Sequence, residues 1–161
     1  MTSAEPLRVQ VLQLDPGLEP LAYAYDADAG VDLRARVGVT LAPGHRALVP
    51  TGVALALPPG FAGFVHPRSG LAARHGITVL NAPGVVDAGY RGEIQVNLIN
   101  TDVREPFTVA RGDRIAQLVI QRVETVAFEP VEALTSTQRG ESGHGSSGGF
   151  ATGRGPHREG M

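Results

Sequence analysis

Glycine or proline interrupts this chain almost every ten residues, and valine, leucine and isoleucine fill the intervals. That punctuation constrains the fold more than any other feature. In a helix interior glycine costs about 1 kcal/mol relative to alanine and proline about 3 kcal/mol, so the intervals cannot carry long amphipathic helices. They are long enough for strands. Val37-Gly38-Val39-Thr40-Leu41 alternates, with Pro43-Gly44 as a turn behind it, and Val53-Ala54-Leu55-Ala56-Leu57 runs into Pro58-Pro59-Gly60. Phe61 to His66, Ile77 to Leu80, Glu93 to Asn100 and Ile115 to Val123 continue the series. Short strands with turn signals at this spacing predict an all-β sandwich or barrel, with jelly-roll-like architecture the favoured form. One short helix is expected at Ser69 to Arg74, where Leu71-Ala72-Ala73-Arg74 lacks breakers and Gly76 can stop it.

The 161 residues suffice for one core and a tail. The β domain is expected over residues 1–138. From Arg139 the chain turns to glycine and serine with almost no aliphatic residues, so residues 139–161 are expected to form a flexible arm. A net charge of −2 gives no overall pull toward nucleic acid or a membrane surface, so a polyanionic ligand must be met by a few local donors. The absence of cysteine removes disulfides, thiolate zinc sites and a cysteine nucleophile together. No signal peptide is apparent and no stretch approaches the length of a membrane helix, so a cytoplasmic location is expected.

Several patterns mislead. Gly143-His144-Gly145-Ser146-Ser147-Gly148 has dinucleotide-loop spacing but neither the strand nor the helix that such a loop joins. Arg111-Gly112-Asp113 reads as a turn before a strand. The five histidines lack metal-ligand spacing, and Ser69 lies in Pro-Arg-Ser-Gly, outside any nucleophile elbow.

Four segments carry chemistry. In Pro67-Arg68-Ser69-Gly70-Leu71-Ala72, a guanidinium fork, a hydroxyl and an approachable backbone N–H could cradle a phosphate; a capped turn with Ser69 as N-cap and Arg68 solvated reads equally well. In Asn81-Ala82-Pro83-Gly84-Val85-Val86-Asp87-Ala88-Gly89-Tyr90-Arg91-Gly92, Val85 and Val86 could wall a pocket with Asp87 at its mouth as a general base. Alternatively, Asp87 merely stabilises the Ala88-Gly89 turn. Asp32, in Ala29-Gly30-Val31-Asp32-Leu33, could hold the waters of a magnesium ion or pair with an arginine inside the fold. Gln117, at the end of Arg111 to Leu118, could donate its amide to a phosphate or sit on an outward strand face.

Taken in order, these segments resemble the five motifs of the homotrimeric dUTPase family. Motif one is Ala29 to Ala35, motif two Pro67 to Ala72, motif three Asn81 to Gly92, motif four Arg111 to Leu118, and motif five the tail at 139–148. The resemblance implies a β jelly-roll homotrimer, with active sites shared between subunits, that hydrolyses dUTP to dUMP and pyrophosphate with Mg²⁺. Such an enzyme supplies dUMP for thymidylate synthesis and keeps uracil out of DNA. Under it, Asp87 activates the attacking water, while Asn81 and the backbone from Gly84 through Val85 and Val86 to Asp87 read uracil. Tyr90 lies under the deoxyribose. Arg68, Ser69, Gly70 and Gln117 grip phosphates, Asp32 touches Mg²⁺ through water, and Gln95 adds a further contact. The tail closes over the nucleotide, Arg139 on the γ-phosphate and His144 stacking on uracil where the family usually has phenylalanine. Ser142 also replaces a glycine. A second register, Ser147 to Gly153, would restore the ring through Phe150 but leaves no arginine at the right offset.

Two alternatives share the scaffold. A dCTP deaminase carries a glutamate ten residues after the motif-three aspartate, where this chain has Asn97, and usually has Pro-Gly where Ala88-Gly89 stands here. A non-catalytic nucleotide-binding module would be expected to have lost Asp87 or Arg68, and both are present.

Overall fold

The structure, a computed structural model, describes residues 6–138, 140 and 141. Among these residues eleven strands and one helix follow in the order β1 (Gln10–Gln13), β2 (Val31–Arg34), β3 (Val39–Leu41), β4 (Arg46–Pro50), β5 (Val53–Ala56), β6 (Phe61–Pro67), α1 (Ser69–His75), β7 (Ile77–Val79), β8 (Gly84–Val86), β9 (Gln95–Asn100), β10 (Phe107–Val109) and β11 (Arg114–Arg122). A four-stranded sheet β2-β11-β6-β8, a three-stranded sheet β4-β9-β7 and two two-stranded sheets, β1-β5 and β3-β10, are formed among the described residues, all with antiparallel pairing. This is the expected all-β, jelly-roll-like architecture with one short helix.

Alternation explains the layering. In β9 the residues Val96, Leu98 and Asn100 are buried while Gln95, Asn97 and Ile99 point the other way. Inward residues of the larger sheet (Leu33, Val65, Val86, Leu118) and of the smaller one (Val49, Ile77, Val79, Val96, Leu98) belong to one apolar core. The register of β11 against β2 slips between Arg114 and Ala116, and this bulge lets the consecutive residues Ile115 and Ala116 both be buried. Asn100 lies fully buried at the end of β9. Its amide donates to the carbonyls of Leu41 and Glu105, and its side-chain oxygen accepts from the Asp102 N–H, so its burial leaves no polar atom orphaned.

Two expected boundaries shift for local reasons. Val37 falls in a bend and Gly38 lies outside the strand, because Val37 is half-exposed and only Val39–Leu41 pair with β10. The helix begins at Ser69, but the N-cap position belongs to Arg68, whose φ of −89° and ψ of 125° are extended and which makes no side-chain capping bond. The alternative with Ser69 as N-cap is therefore corrected. At the other end Gly76 adopts φ 63° and donates its N–H to the Ala72 carbonyl, as expected of a helix stop. Arg111-Gly112-Asp113 does form a turn: Gly112 has φ 90°, and the Asp113 N–H donates to the Ala110 carbonyl.

The contacts divide the chain into two units, the first ending at Thr125 and the second starting at Val126. In the second, the described residues form neither strand nor helix, and Val126, Phe128, Val131 and Leu134 are exposed. No helix among the described residues is long and apolar enough to cross a membrane.

Candidate active site

The site starts where β6 runs beside β8. Val65 pairs with Gly84, and a Cβ on Gly84 would stand 3.4 Å from the Val65 Cβ and 3.3 Å from the Asn81 Nδ2. Glycine at that position lets the Asn81 amide lie against the strand, across a connection containing a cis Ala82-Pro83 bond. A cleft of about 360 Å³ opens here. Asn81, Gly84, Val85, Val86, Asp87, Tyr90 and Gln95 all line it, over an apolar floor that includes Val65, Val79 and Ile94. Alternation divides the wall: Val86 is buried, whereas Val85 is 59% exposed and offers a free apolar face.

Asp87 follows directly and is exposed. Its main-chain carbonyl accepts the Tyr90 N–H at 3.0 Å, so the turn is closed by backbone. The carboxylate has no hydrogen-bond or ion-pair partner among the described residues. The turn-stabilising alternative for this side chain is thereby corrected. Arg91 staples the same loop by donating to the carbonyls of Ala88 and Tyr90 at 2.6 and 2.8 Å. The Tyr90 ring folds back over Gly92, where a Cβ would come within 2.4 Å of the hydroxyl, and that hydroxyl donates to the Glu93 carbonyl at 2.9 Å.

A second polar group lies on the four-stranded sheet. Cross-strand register aligns Asp32 of β2, Gln117 of β11 and His66 of β6 on one face. Arg68 is not solvated freely. Its Nε donates to Asp32 Oδ1 at 2.9 Å and its Nη1 to the Arg114 carbonyl at 3.4 Å, while Arg114 Nη1 reaches Asp32 Oδ2 at 3.3 Å. Of the two uses open to Asp32, the arginine pairing is present. The pairing orients Arg68 while leaving most of its five N–H donors uncommitted. Ser69 and Gly70 start the adjoining helix, and the Gly70 carbonyl accepts from Arg74 Nε at 3.3 Å. No group of three or more histidine, aspartate or glutamate side chains able to hold a metal ion occurs among the described residues.

One chain thus brings the motif-three residues and Gln95 together, but none of Asp32, Arg68, Ser69, Gly70 or Gln117 lines their cleft. Arg139, His144 and Phe150 lie outside the described residues. Leu48 and Asn97, which also line the cleft, were not anticipated as site residues. They face each other across the β4–β9 register, a pairing of positions 49 residues apart that no local motif announces.

Comparison with known proteins places the chain in a family. The dUTPase family model matches residues 19–148. The deoxyuridine 5′-triphosphate nucleotidohydrolase of Thermobifida fusca is 60% identical over 147 residues, covering 91% of this chain and 82% of that protein. The protein of the same name from Mycobacterium tuberculosis is 58% identical, covering 88% and 96%. Among solved structures, a mutant Staphylococcus bacteriophage 80alpha dUTPase with dUpNHpp superposes with a TM-score of 0.80 at 28% identity, covering 88% of this chain and 98% of that one. A mutant dUTPase of S. aureus phage phi11, described with a coordinated structural Mg(II) ion, gives 0.73 at 25% identity, covering 79% and 98%. On the family model and these relatives, the chain belongs to the dUTPase family.

Proposed function

We propose that this protein hydrolyses dUTP to dUMP and pyrophosphate in a Mg²⁺-dependent reaction. The observation that carries the reading is Asp87, an exposed carboxylate without a partner among the described residues, at the mouth of a cleft walled by Asn81, Tyr90 and Gln95. An acceptor left free in this way suits a general base. A water oxygen attacks the α-phosphorus, its proton passes to Asp87, and the bond from the α-phosphorus to the α,β-bridging oxygen breaks. Pyrophosphate leaves with that oxygen.

Asn81 and the backbone of Gly84 to Asp87, with Val85 and Val86, form the uracil subsite. Tyr90 is the floor beneath the deoxyribose and has no room for a 2′-hydroxyl. Arg68, Ser69, Gly70 and Gln117 serve the phosphates. Since these four stand outside the cleft of their own chain, we assign them to the cleft of another copy in a homotrimer with shared sites. The domain then ends near residue 138, and residues 139–161 act as an arm, with Arg139 and His144 closing over the nucleotide.

The donor set suits a magnesium ion carried mainly by substrate. Mg²⁺ typically keeps several waters and takes one or two carboxylates plus phosphates. Asp32 has a carboxylate with about four acceptor sites and two arginine bonds, which leaves capacity for a metal-bound water. The ion offsets the phosphate charge that repels the nucleophile.

The test is to offer dUTP, dCTP, dTTP and UTP separately with Mg²⁺ and to assay pyrophosphate and ammonia. Pyrophosphate from dUTP alone is expected. Ammonia from dCTP would overturn the reading, although the deaminase base position is the neutral Asn97. Binding of dUTP without turnover would leave a binding module.

A further inference from the structure

The loop that presents Tyr90 is anchored by an ionic chain that reaches well away from the cleft. The Tyr90 hydroxyl is held by the main-chain carbonyl of Glu93. The Glu93 side chain, 18% exposed, is outside the lining of the cleft and is gripped twice. Its Oε1 accepts the Gly52 N–H at 2.7 Å, and Arg36 Nη1 stands 3.4 Å from its Oε2. The Arg36 Nε in turn lies 3.5 Å from Asp15 Oδ2, and Asp15 Oδ1 accepts from Arg111 Nη2 at 3.0 Å. Arg111 also donates to the Arg36 carbonyl at 2.9 Å.

We propose that Glu93, held by Arg36, is a positioning residue for sugar selectivity: it fixes the carbonyl on which the Tyr90 hydroxyl docks, and so fixes the ring. The backbone beside it supports the assignment. The Ile94 N–H donates to the Val53 carbonyl, and the Ile94 carbonyl accepts from both the N–H and the hydroxyl of Thr51, so the side chain of Glu93 and the main chain of Ile94 hold the peptides on either side of Ile94 against the β4–β5 connection and the start of β5. Gly52 is needed for the approach. Its φ of 74° is left-handed, and a Cβ there would press within 3.1 Å of Asp15 and 3.2 Å of Leu18. Glu93 carries the Tyr90 docking point on its own carbonyl, yet it does not line the cleft. Its effect on substrate therefore passes through the tyrosine. The inference rests on the reading of Tyr90 as the filter against ribose.

That route makes a prediction a general stabilising role does not share. The readout is the ratio of kcat/KM for dUTP to that for UTP, in Glu93→Ala, Arg36→Gln, Tyr90→Phe and the double variants. Glu93→Ala is expected to lower the ratio about tenfold, corresponding to roughly 1.4 kcal/mol. Glu93→Gln, which retains an acceptor for Gly52, should recover part of it. In the Tyr90→Phe background, where the docking bond is gone, Glu93→Ala should cause no further loss. Equal losses in both backgrounds would overturn the proposal, as would an unchanged ratio in Glu93→Ala beside a reduced one in Tyr90→Phe. If Tyr90→Phe and Tyr90→Ala both leave the ratio intact, the filter reading itself fails. Should Glu93→Ala not fold, Arg36→Gln carries the same comparison from the far side of the ion pair.

Discussion

At the scale of single residues, the position of Asp87 matters more than its neighbours' identities. A carboxylate engaged by backbone N–H groups has its acceptor sites committed; that of Asp87 meets no partner among the described residues and can accept a hydrogen bond from a water. Replacing it with asparagine keeps size and polarity but removes the basic oxygen. Asp87→Asn is expected to bind dUTP near normally and to lose about 10²–10⁴ in kcat, the usual worth of general-base help. Titration calorimetry with a non-hydrolysable analogue, beside steady-state turnover, separates the two. Near-normal kcat in that variant would remove Asp87 from the role. This residue was legible in the sequence because Asn81, Asp87, Tyr90 and Gln95 fall within fifteen consecutive positions of one connection and reach one cleft locally. Glu93 was not legible. Its meaning depends on Arg36 and Gly52, which are 57 and 41 residues distant, and on a backbone carbonyl whose direction no residue type encodes.

At the scale of elements, helix α1 shows how glycine placement does structural work. Gly76 ends the helix with φ 63°, and a Cβ there would lie 3.0 Å from Thr101 Oγ1 and 3.2 Å from the Asp102 N. The same glycine's carbonyl accepts both the N–H and the hydroxyl of Thr101, tying the helix end to the connection after β9. Gly76→Ala meets a left-handed backbone penalty of about 1–2 kcal/mol and a crowded Cβ that Thr101 must move to admit. A fall of several degrees in the thermal midpoint is expected, with turnover at 25 °C little changed because Gly76 lies outside the cleft. An unchanged midpoint would show that the left-handed cap is unimportant. The helix stop could be read in advance because glycine after four breaker-free residues is a local signal. The strands β1, β2, β4, β8 and β10 could not. They are short or of mixed polarity, and β1 is mostly exposed, so their pairing is decided by partners far along the chain. Asp32 has two uses open to it in the sequence, magnesium waters or an internal arginine, and the arginine pair is the one that the fold forms. In the fold it is one position of β2, opposite Gln117.

At the scale of the whole molecule, the ion pairs that tie distant segments together set a pH limit on stability. Asp15 joins the N-terminal segment to Arg111, 96 positions away, and its carboxyl is held below its ordinary value of 3.8, first by the Arg111 guanidinium and also by the Gly17 N–H. Arg111 is correspondingly pushed up. Asp102 is lowered as well, by the N–H groups of Glu105 and Arg104 that its carboxylate accepts. A depressed folded-state value means that the unfolded chain takes up protons first as the solution is acidified. The stability contributed by Asp15 is therefore complete above about 3.9, the unfolded-state value, and is lost as pH falls through the lower folded-state one. The raised value of Arg111 acts at the opposite end of the scale and leaves neutral pH untouched. Urea midpoints measured through the acid range should fall below about pH 4 in the native sequence. In Asp15→Asn the slope should flatten in part, because Asp102 still titrates, and flatten further when Asp102→Asn is added. At neutral pH Asp15→Asn is expected to be less stable than the native protein, and the gap should narrow on acidification as the native carboxylate is neutralised. If the gap stays constant across that range, proton uptake by Asp15 is not linked to folding, and the Asp15–Arg111 pair acts by shape alone.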